Sequence, residues 1–214
     1  EQPLQELLAP GLALAAVNAP QLCVVAGSFE AVADFEARLE RHGAASRRLV
    51  TSHAFHSELM EPMLPLFLEE MKKVKLQPPQ LPWISNVTGR WVTTEEATDP
   101  AYWVEHARRT VRFSDSLGEL ARAGINQLLE VGPGQTLGTL VRQHPDIATG
   151  KTVAGSLGLA GGRDSDLAVM LKSLGRLWLA GVPVDWTGFS KDERRSKLAL
   201  PTYPFVMERH WVDA

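Results

Sequence analysis

A short apolar run that passes into a glycine-rich turn indicates the fold class of this chain. Residues 127–131, Gln-Leu-Leu-Glu-Val, are typical of a buried strand, and Gly132, Pro133 and Gly134 follow at once. A helix is expected to begin at residues 134–136. A strand that enters a helix through such a turn is an element of α/β folds, so an α/β protein is predicted. The N–H groups at this helix start could bind an anion, although close packing of strand and helix explains the glycines as well.

The first part of the chain predicts a small β-β-α-β unit. Two apolar runs, residues 12–17 and 22–26, flank a turn that contains proline. Ser28 is suited to cap a helix, and residues 47–52 return to a strand pattern. A unit of this size can be carried as a subdomain on a larger body.

Amphipathic segments and breakers divide the rest of the chain. The predicted elements are a helix from Ser57 to residue 74, a hairpin of residues 83–87 and 90–93, helices at residues 102–108, 113–123 and 167–179, and an extended segment at residues 182–186. Glycines cluster between residues 155 and 165, which predicts a boundary there. The tail from residue 191 is charged and then rich in proline and aromatic residues, as expected of an extended strap.

Charge and cysteine content argue against several classes of function. The formal net charge is −3, from 22 basic and 25 acidic residues spread along the chain, so we expect no binding of nucleic acid or of anionic membranes. No apolar run approaches the length of a membrane span, and the N-terminus lacks the pattern of a signal peptide. The single cysteine, Cys23, is expected to be a buried thiol, which fits a reducing cytoplasm.

Residues 52–57, Ser-His-Ala-Phe-His-Ser, lie between a predicted strand and a predicted helix. Two histidines three positions apart could ligate a metal, but no Cys, Asp or Glu lies nearby at ligand spacing, so no metal is expected. The alternatives are a histidine that caps the helix or packs in the core, and a catalytic histidine, which needs a nucleophile. The residues alone leave these alternatives open.

A wider pattern resembles a known family. Residues 51–63, Thr-Ser-His-Ala-Phe-His-Ser-Glu-Leu-Met-Glu-Pro-Met, resemble the catalytic-histidine motif of acyltransferase domains from modular type I polyketide synthases. Four further segments resemble that family in the same order: residues 16–27 its subdomain strand pair, 84–89 a core strand, 130–134 its strand-to-helix turn, and 200–211 the linker after the domain. One such motif is weak, but five in order are specific.

The resemblance implies a domain organisation. Residues 1–11 would end the preceding acyltransferase body, and residues 12–50 would form an inserted ferredoxin-like subdomain. Residues 51–159 would be the remainder of an α/β-hydrolase-like body, and residues 160–214 an extended post-acyltransferase linker. The chain opens within a helical segment without an initiator methionine, so we expect the C-terminal part of a longer protein.

The resemblance also implies an activity. Such domains move a malonyl extender unit from malonyl-CoA, through a serine ester, to the phosphopantetheine arm of an acyl carrier protein. By motif position His56 would be the general base and acid, because an imidazole with a near-neutral pKa can both take and return a proton. The backbone carbonyl of Asn86 would accept a hydrogen bond from the other ring nitrogen and so orient the ring.

Two neighbours of His56 are implied to set selectivity. The motif that ends in the catalytic histidine reads His-Ala-Phe-His in malonyl-selective domains, and His53 and Phe55 supply its first and third residues here. A phenyl ring beside the acyl pocket leaves little room for a branch at the α-carbon of malonyl. One methyl group discriminated by packing is worth about 1 to 3 kcal/mol, so the motif biases selection. The residue-level alternative for Phe55 is a plain core aromatic.

The family's nucleophile has no counterpart in these residues. It lies in a Gly-His-Ser-x-Gly elbow, which the 214 residues do not contain, so the chain alone is expected to be inactive. No bound cofactor is expected. The implied partners are an acyl carrier protein, the adjacent ketosynthase and the missing N-terminal part of the acyltransferase. The alternative function is a non-catalytic carrier-docking or scaffold fragment of a synthase.

Overall fold

The computed structural model describes residues 4, 7–147, 150–159, 161–194, 196, 198–206 and 208. In chain order the elements are β1 Leu12–Ala19, β2 Leu22–Gly27, α1 Phe29–Arg41, a 3₁₀ helix Glu58–Met63, α2 Leu64–Lys72, α3 Thr94–Thr98, α4 Pro100–Arg108, α5 Phe113–Arg122, β3 Gln127–Glu130, α6 Thr136–Gln143, β4 Thr152–Gly155, α7 Asp166–Leu179 and α8 Trp186–Ser190. The later part of the chain, β3–α6–β4–α7, alternates strand and helix around a parallel pair, as the predicted α/β class requires.

The first two strands and the helix after them follow the prediction. β1 and β2 pair antiparallel, with Leu12 opposite Gly27 at one end and Ala19 opposite Leu22 at the other. The hydroxyl of Ser28 accepts a hydrogen bond from the N–H of Ala31 at 3.2 Å, which caps α1.

The strand predicted at residues 47–52 is absent, and this expectation was wrong. Leu49 is half exposed and Val50 is fully exposed. The free edge of β1 is already used, because Val17 donates its N–H to the carbonyl of Val111 at 2.9 Å and Val111 donates to Ala15 at 2.9 Å. Residues 47–52 are irregular, and Arg48 of this segment forms an ion pair with Glu36 of α1 at 2.6 Å.

The helix predicted from Ser57 is divided into two pieces. The 3₁₀ helix contains Pro62, and α2 begins with Leu64 and Pro65. Proline has no backbone N–H and clashes with the carbonyl four residues before it, so two prolines this close interrupt a continuous α-helix. Short 3₁₀ segments are the usual result at a helix start.

The predicted hairpin at residues 83–93 is present in a short form: Ile84 forms a bridge with Trp91, and Val92 donates its N–H to the carbonyl of Trp83 at 3.0 Å. A strand over all of residues 84–89 is wrong, because a turn starts at Ser85, whose carbonyl accepts the N–H of Gly89 at 2.8 Å. Gly89 has φ +68°, and a Cβ there would lie 2.5 Å from the Cβ of Asp115. The turn thus requires glycine at this position.

The predicted α/β element is present. β3 runs parallel to β4, and α6 begins after Gly132, Pro133 and Gly134. A cluster of buried apolar side chains lies beside it: Leu117, Val141 and Ile147. The carboxylate of Glu130 accepts the N–H groups of Leu137 at 3.0 Å and of Gly138 at 2.8 Å, so it occupies the position that an anion would take.

The predicted helix at residues 167–179 is confirmed as α7, whose cap is Ser165. The hydroxyl of Ser173 on α7 donates to the carbonyl of Gly155 on β4 at 2.6 Å, which joins this helix to the sheet. The segment predicted as extended up to residue 186 ends where α8 begins. The end of the linker motif, residues 209–211, lies outside the described residues. None of the helices in the described ranges has the length and apolar character needed to cross a bilayer.

Candidate active site

His56 has the most unusual backbone among the residues predicted to be functional. Its φ is +60°, and within the described ranges it is the one residue other than glycine with a positive φ. This left-handed conformation is uncommon for residues with a Cβ, although histidine tolerates it better than most. His56 is half-buried and lies directly before Ser57, the residue that caps the 3₁₀ helix. Residues held in such conformations cluster at functional sites.

Ser57 fixes the chain on both sides of His56. Its side chain is buried, with 2% of its surface exposed. Its hydroxyl donates to the carbonyl of Ala54 at 2.6 Å and accepts the N–H of Leu59 at 3.3 Å. The second contact caps the 3₁₀ helix, as the sequence predicted for a helix start at this serine.

The hydrogen bond expected between His56 and Asn86 is not formed. The Nδ1 atom of His56 is buried and has no hydrogen-bond partner among the described residues. The carbonyl of Asn86 instead accepts the N–H of Arg112 at 2.8 Å. Arg112 directly precedes α5, where the first N–H groups of a helix lack partners within the helix. The start of α5 thus takes the carbonyl that the resemblance assigned to His56.

A buried pair of hydroxyls holds the turn that contains Asn86. Tyr102 donates from its hydroxyl to the hydroxyl oxygen of Ser85 at 2.6 Å. Ser85 has no exposed surface and also accepts the N–H groups of Val87 at 3.1 Å and Thr88 at 3.2 Å. Burial raises the pKa of Tyr102, although the hydrogen bond to Ser85 opposes this effect.

His53 and Phe55 lie together on the surface. Their ring centroids are 5.9 Å apart and the rings are tilted by 52°. Nδ1 of His53 lies 3.0 Å from the hydroxyl of Ser52. Within the part of the chain that the structure describes, Phe55 is 47% exposed and His53 is exposed as well.

His106 is a second histidine near His56 that the sequence analysis did not select. Burial, followed by the nearby charge of His56, lowers the pKa of His106. Its ring centroid lies 6.4 Å from that of Tyr102 and 6.2 Å from that of Trp103. The spacing of three and four residues along α4 is the signal that places these rings on one helix face. The lowered pKa favours the neutral form of the His106 ring.

Arg108 links the same helix to the segment after His56. Its Nε lies 3.1 Å from a carboxylate oxygen of Glu61, and one of its terminal nitrogens lies 3.9 Å from Glu58. Both acidic residues belong to the 3₁₀ helix, 47 and 50 positions before Arg108. The ion pairs connect α4 to the helix that His56 precedes.

A different serine–histidine pair lies in the core. Ser114 and Nε2 of His144 are 3.1 Å apart, and Nδ1 of His144 accepts the N–H of Asp146 at 3.3 Å. His144 is 3% exposed and Ser114 is 7% exposed. Both ring nitrogens of His144 are occupied and the pair is closed to substrates, so its role is structural. The two contacts join α5 to the end of α6. Elsewhere in the described ranges, no three potential ligands come together to hold a metal ion.

Comparison with known proteins gives the context of this site. A family model described as acyl transferase domain matches residues 1–183. A component of the phenolphthiocerol/phthiocerol polyketide synthase of Mycobacterium tuberculosis (strain CDC 1551 / Oshkosh) is 37% identical over 208 residues, which are 97% of this chain and 14% of that protein. The similarity thus extends across almost the whole chain and over a small part of a much longer protein.

Two solved structures are similar in fold as well. The acyltransferase domain from the second module of the salinomycin polyketide synthase matches with a TM-score of 0.85 and 37% identity, over 96% of this chain and 48% of that one. The acyl transferase domain of SpnD, solved in complex with 2-(pent-4-yn-1-yl)malonyl, matches with a TM-score of 0.80 and 40% identity, over 84% of this chain and 44% of that one. The chain therefore spans less than half of each solved chain.

Proposed function

This chain belongs to the acyltransferase domains of polyketide synthases, and from this premise we propose that it carries the catalytic base for transfer of a malonyl extender unit. The proposed donor is malonyl-CoA and the proposed acceptor is the phosphopantetheine thiol of an acyl carrier protein. Within this reaction His56 is the general base and general acid.

The observation that carries this proposal is the environment of His56. The residue is half-buried, has a left-handed backbone, and lies at the start of a helix beside two exposed side chains, His53 and Phe55. A strained residue that presents an imidazole beside an open surface fits a group that acts on a bound substrate. A histidine that merely capped a helix would not need this backbone, because Ser57 already caps the 3₁₀ helix.

The chemistry follows from one proton carried by His56. A serine hydroxyl attacks the thioester carbonyl, His56 takes the hydroxyl proton, and the departing coenzyme A thiolate receives that proton as the serine ester forms. In the second half the phosphopantetheine thiol attacks the ester. His56 takes the thiol proton and returns it to the serine oxygen, so the enzyme is unchanged after both steps.

The orientation of His56 is proposed to involve Asn86 in the complete site. Nδ1 of His56 is buried without a partner among the described residues, which leaves a donor or acceptor to be satisfied. A backbone carbonyl oxygen has two lone pairs, so that of Asn86 can accept from Nδ1 while it keeps the N–H of Arg112. A small rotation of the His56 side chain is expected to accompany completion of the site.

The serine is proposed to lie outside these residues. The 214 residues contain no Gly-His-Ser-x-Gly segment, and the solved relatives contain more than half of their length beyond the part matched here. The proposed active enzyme therefore unites this part with a serine-bearing part, next to a ketosynthase in the same synthase. His53 and Phe55 bias this enzyme toward malonyl over α-branched units.

The test is acyl transfer in an intact domain made of both parts. With labelled malonyl-CoA and an acyl carrier protein, His56→Ala is expected to slow loading by two or more orders of magnitude, as loss of a general base does. His53→Ala is expected to alter mainly the choice between malonyl and methylmalonyl. His42→Ala, at the exposed end of α1, is the matched control and should not change the rate. A His56→Ala variant within a few-fold of the parent would refute the assignment and favour the non-catalytic scaffold.

A further inference from the structure

We propose that Ser57 is a positioning residue that holds His56 in its left-handed backbone conformation for proton transfer. The inference rests on the proposed function, because it assigns to Ser57 a role that acts through the base. It names a residue that touches neither substrate nor reacting atoms.

The backbone of His56 needs a restraint. A φ of +60° brings the Cβ of an L-residue into a crowded region, and residues other than glycine remain there only when their surroundings hold them. Free of such restraint, the segment would relax toward negative φ and turn the imidazole away. The groups that hold the two sides of His56 therefore decide where the ring points.

Ser57 supplies this restraint from a buried position. Its hydroxyl is bonded to the carbonyl of Ala54, two residues before His56, and to the N–H of Leu59, three residues after it. One oxygen thus bridges a segment of six residues with His56 inside it. Since Ser57 is 2% exposed, water cannot easily replace either hydrogen bond when the hydroxyl is removed.

The ion pairs that Arg108 forms with this segment are weaker. Arg108 reaches Glu61 and Glu58, but the side chains of these acids are 57% and 69% exposed. Ion pairs in such exposed positions contribute little, because water and salt screen them. The ion pairs also attach to the helix beyond His56 and do not reach the preceding carbonyl of Ala54. The buried hydroxyl is therefore the contact that spans the base.

The experiment compares Ser57→Ala with a matched cap in the intact domain. Ser28 caps α1 with the same kind of serine-to-backbone bond, 3.2 Å to Ala31, far from His56 in sequence. Both substitutions remove a cap. We expect Ser57→Ala to lower kcat for acyl loading by about 10- to 100-fold with KM for malonyl-CoA little changed, because displacement of a catalytic group by about 1 Å has effects of this order. We expect Ser28→Ala to leave both constants unchanged.

Two further variants separate positioning from stability. Ser57→Thr keeps the hydroxyl and is expected to recover most of the lost kcat. In a His56→Ala background, Ser57→Ala is expected to cause no further loss, because its effect passes through His56. Rates are compared well below the melting temperature of each variant, which is measured in parallel.

Three results would overturn the inference: equal kcat in Ser57→Ala and Ser28→Ala, an additional loss in the His56→Ala background, or a folded Ser57→Thr variant as slow as Ser57→Ala. An intact domain that transfers no acyl group even before substitution would overturn the proposed function instead. The two failures are thereby distinguished.

Discussion

The buried hydroxyl pair of Tyr102 and Ser85 gives a prediction whose size follows from the structure. Tyr102→Phe removes one hydrogen bond of 2.6 Å and keeps the ring that packs on Trp83 and Trp103. Ser85 still accepts two backbone N–H groups, so no other polar group loses its partner. The expected cost is about 1 kcal/mol in the free energy of unfolding, the usual net value of one neutral hydrogen bond.

Ser85→Ala is expected to cost more, because three donors share the oxygen that it removes. The hydroxyl of Tyr102 and the N–H groups of Val87 and Thr88 all lose this acceptor in a site with no exposed surface at Ser85. A buried donor left without a partner costs about 1 to 3 kcal/mol. Since part of the turn can relax toward water, we expect a total of about 2 to 4 kcal/mol.

Urea denaturation of the intact domain, followed by tryptophan fluorescence, measures the change in the free energy of unfolding for both variants. The signal reports on this region because Trp83 and Trp103 lie beside the substituted pair. Tyr203→Phe is the matched control, because Tyr203 is 73% exposed and should give no change. The double variant should cost no more than Ser85→Ala alone, because Tyr102→Phe removes the hydroxyl that Ser85→Ala leaves without an acceptor. If Ser85→Ala costs no more than Tyr102→Phe, the oxygen of Ser85 is not the shared acceptor and the reasoning is refuted.

Two further predictions concern the neighbours of His56. Burial and the charge of His56 lower the pKa of His106 in the folded protein, so the contribution of this histidine to stability is present above its unfolded pKa of about 6.5 and is lost as the pH falls through the lower folded value. In urea titrations at several pH values, His106→Gln should therefore lose less stability below about pH 6.5 than the parent does. An unchanged dependence of stability on pH would contradict this. Phe55→Ser should raise the ratio of methylmalonyl to malonyl loading by about 10- to 100-fold, as removal of steric exclusion of one methyl allows. An unaltered ratio in a competition assay would exclude a role in selection.

Elements fixed by neighbouring residues were predictable from the sequence. The antiparallel pair β1 and β2 is joined by a short turn, and α1 and α7 begin at serine caps that bond to the third residue after them. These contacts span few residues, so the local pattern contains their cause. The Gly-Pro-Gly turn before α6 is local in the same sense, although the filling of its helix start by Glu130 depends on the packed geometry.

Elements that depend on distant partners were not predictable. Residues 47–52 have the composition of a strand, but Val111, some sixty residues away, takes the edge of β1 by forming a bridge with Ala16. The carbonyl of Asn86 likewise accepts the N–H of Arg112, a residue that lies 26 positions further along the chain. A sequence pattern shows that a group can form a hydrogen bond, and the fold decides which of the competing partners receives it.

The support of His56 shows the same division between local and distant causes. The motif identifies the histidine from its immediate neighbours, and Ser57 acts within that motif. His106 and Arg108, by contrast, belong to α4 and approach the site from some fifty residues further along the chain. Two positions apart on one helix, they point in different directions: Arg108 forms ion pairs with the helix after the base, while burial and the nearby charge of His56 lower the pKa of His106. Both contacts come from a distant helix, so the residues of the motif alone could not reveal them.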